Sequence, residues 1–205
     1  GTRIEIAREG QQLPGMSSGV MFGGAIDSAG ITANGSAVLR ATLGGTGSGQ
    51  VWLRASSATS GVVLAQSGVT SPGSQPVSPS QTISSFVFDQ CMGDMASSST
   101  LIRAKLNGPA ATDQVAVYGG AVVAQEGAIL PGSSFASAVS LLTPQDWGLS
   151  ISPDGSHWAL LGSNADNEDW VAVDGVVAVT TDDVIAPGEG GSFDDVSYSP
   201  CFESV

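Results

Sequence analysis

Charge is scarce in this 205-residue sequence: Asp, Glu, Lys and Arg make up only 12% of it, and 19 acidic residues face 6 basic ones. That is about half the charged fraction of an ordinary soluble domain. Lys105 is the only lysine. Phosphates and anionic lipids are bound by clustered Lys and Arg, so neither nucleic acid nor an anionic membrane surface is an expected partner. Histidine occurs once, as His157, and cysteine twice, as Cys91 and Cys201. So few thiol and imidazole ligands exclude the common zinc sites. No apolar run reaches the roughly eighteen residues of a membrane-spanning helix. The chain opens on Gly1 rather than Met, as a processed mature chain or a trimmed one does. With a pI near 4.1, the expectation is an extracellular or cell-surface protein exported through a cleaved signal peptide. There, Cys91 and Cys201 read as one long-range disulfide, or else as two buried free thiols.

Long helices are missing as well. The 28 Gly and 10 Pro interrupt the chain too often for a helical period to persist. Val, Leu and Ile recur instead in short β-type runs, which also argue against disorder. The predicted fold class is therefore all-β. At this length the chain makes one domain, 1–205, that buries roughly 70% of its unfolded surface.

A repeated mark organises the runs. An acidic or small pair, three variable residues and Pro-Gly recur at Glu9-Gly10 to Pro14-Gly15, Ser67-Gly68 to Pro72-Gly73, Glu126-Gly127 to Pro131-Gly132 and Asp182-Asp183 to Pro187-Gly188. Pro14, Pro72, Pro131 and Pro187 lie 58, 59 and 56 positions apart. Before each mark runs an apolar segment: Ile4 to Ala7, Val62 to Ala65, Val122 to Ala124 and Val176 to Val179. After each comes a phenylalanine, namely Phe22, Phe86 or Phe88, Phe135 and Phe193. Midway lie Ala37 to Leu43, Leu101 to Leu106 and Trp158 to Leu161, followed by Val51 to Leu53, Val115 to Tyr118 and Trp170 to Val173. Gly119-Gly120 and Asp174-Gly175 supply the positive φ angles of tight type I′ hairpins.

The reading is about 3.5 four-stranded units, approximately 8–65, 66–124 and 125–180, with a partial unit 181–205 completed by 1–7. Four strands repeated at this length predict a propeller-like fold, with a β-sandwich or β-solenoid as the runner-up. Ile4, Ile6, Phe193, Tyr198 and Phe202 then belong to strands that close the last unit, within one chain or between neighbouring chains.

The phrases Ala7-Arg8-Glu9-Gly10 through Pro14-Gly15 and Ala124-Gln125-Glu126-Gly127 through Pro131-Gly132 resemble the tandem-repeat proteins of bacterial cell surfaces. In that family an Ala-Arg-Glu-Gly-Asp-x-Ala-Pro-Gly phrase alternates with Asn-x-x-Gly-x-x-Ala-Phe, and Thr32 to Leu39 matches the second phrase loosely. The resemblance implies an exported, often surface-anchored protein of propeller-like fold, with no activity carried by the motifs. Two positions depart from it: Ser67 replaces the Glu, and Ser152-Pro153-Asp154-Gly155 is closer to the turns of other propellers.

Chemistry-bearing residues are few. No Gly-x-Ser-x-Gly elbow accompanies His157, since Gly45-Thr46-Gly47-Ser48-Gly49 lacks Ser at its centre. His157 is expected in a turn or on the surface. Carboxylate pairs that could serve a glycosidase come from Asp166, Glu168, Asp169, Asp182, Asp183, Asp194 and Asp195, though acidic loops also simply solvate a Lys-poor β-protein. Asp166, Glu168 and Asp169 are calcium candidates, without EF-hand spacing or its central Gly; no cofactor besides calcium is expected. Trp52 and Trp170 occupy what read as equivalent strand positions, which predicts core packing; the competing use of Trp52, Trp147, Trp158 and Trp170 is a sugar-stacking platform. The expected function is thus a non-enzymatic structural or adhesive β-repeat protein that partners itself, as a surface layer or filament, or other cell-surface components. The alternative is a secreted glycan-binding or glycoside-cleaving protein.

Overall fold

The computed structural model describes residues 5–32, 34–77, 79–87, 92–93, 100–130, 133, 137–142, 149–152 and 154–181. Every regular element among them is a β-strand, in three antiparallel sheets. The first sheet has the order β1 (Val20–Ile31), β2 (Ala37–Gly45), β3 (Gln50–Ser57), β4 (Ser60–Gln66). In the second, β5 (Ile83–Phe86) and β6 (Met92–Gly93) both line β7 (Thr100–Leu106), which leads to β8 (Gln114–Tyr118) and β9 (Ala121–Gln125). The third repeats that plan: β10 (Val139–Leu141) and β11 (Leu149–Ile151) line β12 (Trp158–Asn164), followed by β13 (Asp169–Val173) and β14 (Val176–Thr180).

Local sequence explains the hairpins. Gly119 and Gly120 have φ of 56° and 85°, Asp174 and Gly175 of 51° and 83°, the two positive values that match a two-residue turn to strand twist. The Glu-Gly mark is a turn too. Gly10, Gly68 and Gly127 sit at φ 75°, 74° and 79°, and each turn is closed by a backbone bond, Gln11 to Arg8, Val69 to Gln66 and Ala128 to Gln125. Each of these glycines then donates to the first strand ahead, reaching the carbonyls of Phe22, Ile83 and Val139 at 2.8, 2.6 and 2.8 Å. In the first two units the Pro-Gly that follows packs on the next hairpin. A Cβ on Gly15 (φ 81°) would lie 3.0 Å from the Gly61 carbonyl, and Gly73 bridges Gly120 and Val122.

The sheets stack face to face. One cluster joins Val38, Trp52 and Ala65 of the first sheet to Ile83, Phe86, Ile102, Val115 and Val117 of the second. A further cluster joins Leu101, Ala116 and Ala124 of the second to Leu142, Leu149, Trp158, Leu160, Trp170 and Ala172 of the third. Another covers the remaining face of the first sheet, where Phe22, Ala41, Val51 and Leu53 meet Leu13, with Ile6, Ala7 and Met16 against them. Each fully buried Val, Leu, Ile or Phe side chain contributes roughly 1.5–3 kcal/mol. Burial follows this layering. Along β7 every residue but Lys105 is buried, and Val115, Ala116 and Val117 of β8 are buried in succession, because both faces of that sheet are covered. Strand β12 alternates buried and half-buried, as a sheet covered on one side does.

Two expectations change in detail. The single strand expected after each Pro-Gly is continuous only as β1; in the second and third sheets two short pieces share its place against the second strand. Among the described residues, residues 5–7 of the segment expected as a strand from Ile4 to Ala7 have no ladder partner, and Ile6 and Ala7 pack on the first sheet; Ile4 lies outside the described residues. Phe193, Tyr198, Phe202, Cys91 and Cys201 also lie outside the described residues, as do Trp147, Phe88, Phe135, Asp182, Asp183, Asp194 and Asp195.

Candidate functional site

The calcium candidates share the β12–β13 hairpin, but neighbouring donors already occupy them. Buried Asn164 organises the loop: its side-chain oxygen accepts the Asp166 and Glu168 amides at 3.0 Å each, and its side-chain nitrogen donates to Glu168 at 2.6 Å. Asp169 accepts from Ser163 at 2.5 Å and Asp166 from the Ser137 hydroxyl. A short polar side chain that captures the amides two and four residues on is a local turn device. Among the described residues no three His, Cys, Asp or Glu side chains converge as a metal site would require.

His157 lies at the entrance to β12, exposed. Its Nδ1 is 2.6 Å from Asp174 Oδ2, and Asp174 Oδ1 accepts the Trp158 amide at 2.8 Å. Asp174 is thus held by the hairpin turn and pins the strand start. The contact holds the imidazole above its ordinary pKa and the Asp174 carboxyl below its own. Nearby hydroxyls point elsewhere: Ser152 and Ser156 donate to Asp154 at 2.6 and 2.8 Å. Together with the Ser156 amide they lower the Asp154 pKa to about 2. The Ser152 oxygen accepts the His157 backbone amide at 3.0 Å. Ser152, Asp154, Ser156 and the His157 amide therefore bond one another within a single turn.

The three described tryptophans are buried rather than set out as an exposed platform. Trp52, Trp158 and Trp170 are 1%, 6% and 0% exposed, and Trp52 packs edge-on against Phe86 with ring centroids 6.3 Å apart. Their expected equivalence is off by one residue. Trp52 lies opposite Arg40, whereas Trp170 lies opposite Gly162 and takes the place that Val51 and Val115 hold opposite Ala41 and Ala104. A slip of one residue reverses the face, so Trp52 points to the following sheet and Trp170 to the preceding one.

The joins between sheets hold polar groups that the sequence reading passed over. Arg40 and Arg103 are 0% and 4% exposed and sit at the same register in β2 and β7. Arg40 donates to the carbonyl of Phe86 at 3.4 Å, and Arg103 to that of Leu142. Each crosses from the second strand of one sheet to the end of the first strand of the next. The recurring Arg-Ala-x-Leu within two apolar strands was the available signal, since a buried Arg is rare without partners. A second recurring join lies inside each sheet. The residue after the fourth strand accepts the amide at the start of the third through its side chain: Ser67 from Gln50 at 2.8 Å, Glu126 from Gln114 at 3.4 Å, Thr181 from Asp169 at 2.8 Å. In return it donates its own amide to that residue's carbonyl. Ser67 thus does the work of Glu126 with a shorter oxygen. Burial pushes the Glu126 carboxyl up, against the lowering effect of its Gln114 bond.

No family model, curated protein or solved structure matches the chain.

Proposed function

We propose that the chain is a non-enzymatic structural or adhesive β-repeat protein of the cell exterior, of propeller-like architecture, that joins further copies or other surface components through its terminal segments. The observation that carries this reading is the pair of like joins between successive sheets: an apolar interface, and an arginine from a second strand bonded to the first strand ahead. A module built of like layers is suited to extension and load. Between sheets β1 meets β6, and β11 meets both β6 and β7, so first-strand pieces lie at each join. The acidic charge of −13 keeps such a surface soluble and repels anionic partners. Carboxylates of the described loops serve turns and hairpins, which favours this reading over glycoside cleavage.

Electron microscopy with mass measurement of the native protein under non-reducing conditions tests it. Filaments or polymers of defined mass are expected. A monodisperse monomer at all concentrations, inert toward cell-surface material, would overturn the proposal.

A further inference from the structure

The only lysine of the chain stands at a fixed place in the second sheet. Lys105 of β7 pairs with Gln114 of β8, and the Leu106 amide donates to the Asp113 carbonyl at 2.7 Å. Closure of the hairpin therefore holds the backbones that carry Lys105 and Asp113 side by side. Lys105 Nζ lies 3.5 Å from Asp113 Oδ2, with the two side chains 46% and 13% exposed. The other carboxylate oxygen, Asp113 Oδ1, is buried and has no hydrogen-bond partner among the described residues.

The other two sheets fill this level differently. Thr42 and Ser163 take the place of Lys105, opposite Gln50 and Asp169, and Gly49 and Glu168 take that of Asp113. The Thr42 hydroxyl bonds the Ala25 backbone, Ser163 donates to Asp169, and Glu168 accepts from Asn164. Amine and facing carboxylate thus enter together, in the second sheet.

Most Lys–Asp contacts at a surface are solvated ion pairs of small net worth. Asp113 differs because one of its oxygens is shut away from water and from donors, a desolvation cost that a full charge makes larger and a neutral amide makes smaller. Condensation of the pair removes both charges. A proton passes from Nζ to Oδ2 across the contact, leaving a free amine and a carboxylic acid. The amine lone pair attacks Asp113 Cγ and the C–N bond forms. The C–Oδ2 bond breaks, and that hydroxyl departs with one amine hydrogen as a single water. Oδ1 stays in place as the amide carbonyl. No oxidant or further reactant enters. Two groups held in contact by a paired backbone react as one molecule rather than as an encounter of two, which supplies much of the barrier reduction, and the open flank of Lys105 gives the water its exit.

We propose that Lys105 and Asp113 condense to an intramolecular isopeptide amide between Nζ and Cγ, a covalent fastening of the β7–β8 hairpin. The bond would form in a monomer and in a polymer alike, so it stands apart from the structural role proposed above.

Mass spectrometry of the full chain, reduced and denatured, tests it together with digestion by an endoproteinase that cleaves after lysine. The wild type is expected about 18 Da below its sequence mass, the loss of one water. It is also expected to resist the single cut that would otherwise part residues 1–105 from 106–205. Fragmentation of a branched peptide should place the amide on Asp113. Asp113→Ala is expected at its full sequence mass and cut once, and Lys105→Arg at its full sequence mass. A wild-type chain at full mass that is cut at Lys105 overturns the inference, and decides the matter even if either variant fails to fold. A chain light by one water yet still parted at Lys105 overturns it too, since the water was then lost elsewhere. An amide on Glu126, whose carboxyl also feels the Lys105 charge, would equally refute the assignment to Asp113.

Discussion

Replacing Ser67 by Ala removes the acceptor for the Gln50 amide, a 2.8 Å bond at a position 8% exposed. A part-buried amide deprived of its acceptor costs about 1–2 kcal/mol. Thr181→Val, isosteric and set against the Asp169 amide at 2.8 Å, costs about 1 kcal/mol by the same reasoning. The two sites lie in different sheets, so the double variant should match the sum within about 0.5 kcal/mol. Glu126→Gln is the informative contrast, because the amide oxygen preserves the acceptor for Gln114 and removes a carboxylate that burial disfavours. A carboxyl whose folded pKa is raised stabilises most below its ordinary value of 4.5, and that contribution fades as pH rises through the folded value. Glu126→Gln should therefore be neutral or stabilising at pH 7 and flatten the pH dependence above 4.5. Urea denaturation at pH 4 and pH 7 reads all four variants, and each 1 kcal/mol moves Tm by about 2–4 °C for a chain of this length. Ser67→Ala and Thr181→Val both within about 0.3 kcal/mol of wild type, below the usual net worth of a hydrogen bond, would refute the idea that this position exists to close the third strand.

The His157–Asp174 pair predicts a titration. His157 is stabilised in its charged form, so its contribution is complete below the ordinary value of 6.5 and is lost as pH rises through the raised folded value. Asp174 contributes above 3.8 and loses its contribution as pH falls through its lowered value. The pair thus acts mainly between those limits. Proton NMR should place the His157 midpoint above 6.5, and Asp174→Asn, which keeps an oxygen for the Trp158 amide, should bring it down; a wild-type midpoint at or below 6.5 would contradict the observed contact. At Gly15, an Ala side chain would meet the Gly61 carbonyl at 3.0 Å from a φ of 81°, so Gly15→Ala should destabilise by about 1–3 kcal/mol in chemical denaturation. Gly10→Ala, also at positive φ but with open space around it, should cost less, about 1 kcal/mol; equal losses would remove the close approach as the cause.

Features governed by a few adjacent residues were legible from the sequence alone. Gly119-Gly120 and Asp174-Gly175 dictate their hairpins through backbone φ, the strands from β2–β4, β7–β9 and β12–β14 follow apolar runs bounded by turn residues, and the Glu-Gly mark announces a turn that recurs because its glycine must adopt positive φ. The candidate site was legible only as composition: Asp166, Glu168 and Asp169 looked like ligands because sequence shows their oxygens and not the Asn164, Ser163 and Ser137 donors that engage them. What the tertiary structure decided is which face meets which neighbour. Trp52 and Trp170 read alike in sequence but point to opposite sides, because pairing register, set between strands rather than within them, turns a side chain over with each single-residue step. Arg40 and Arg103 stand in the sequence as lone charges inside apolar runs, and the arrival of the next sheet's first strand gives each guanidinium a carbonyl to bond and a reason to be buried.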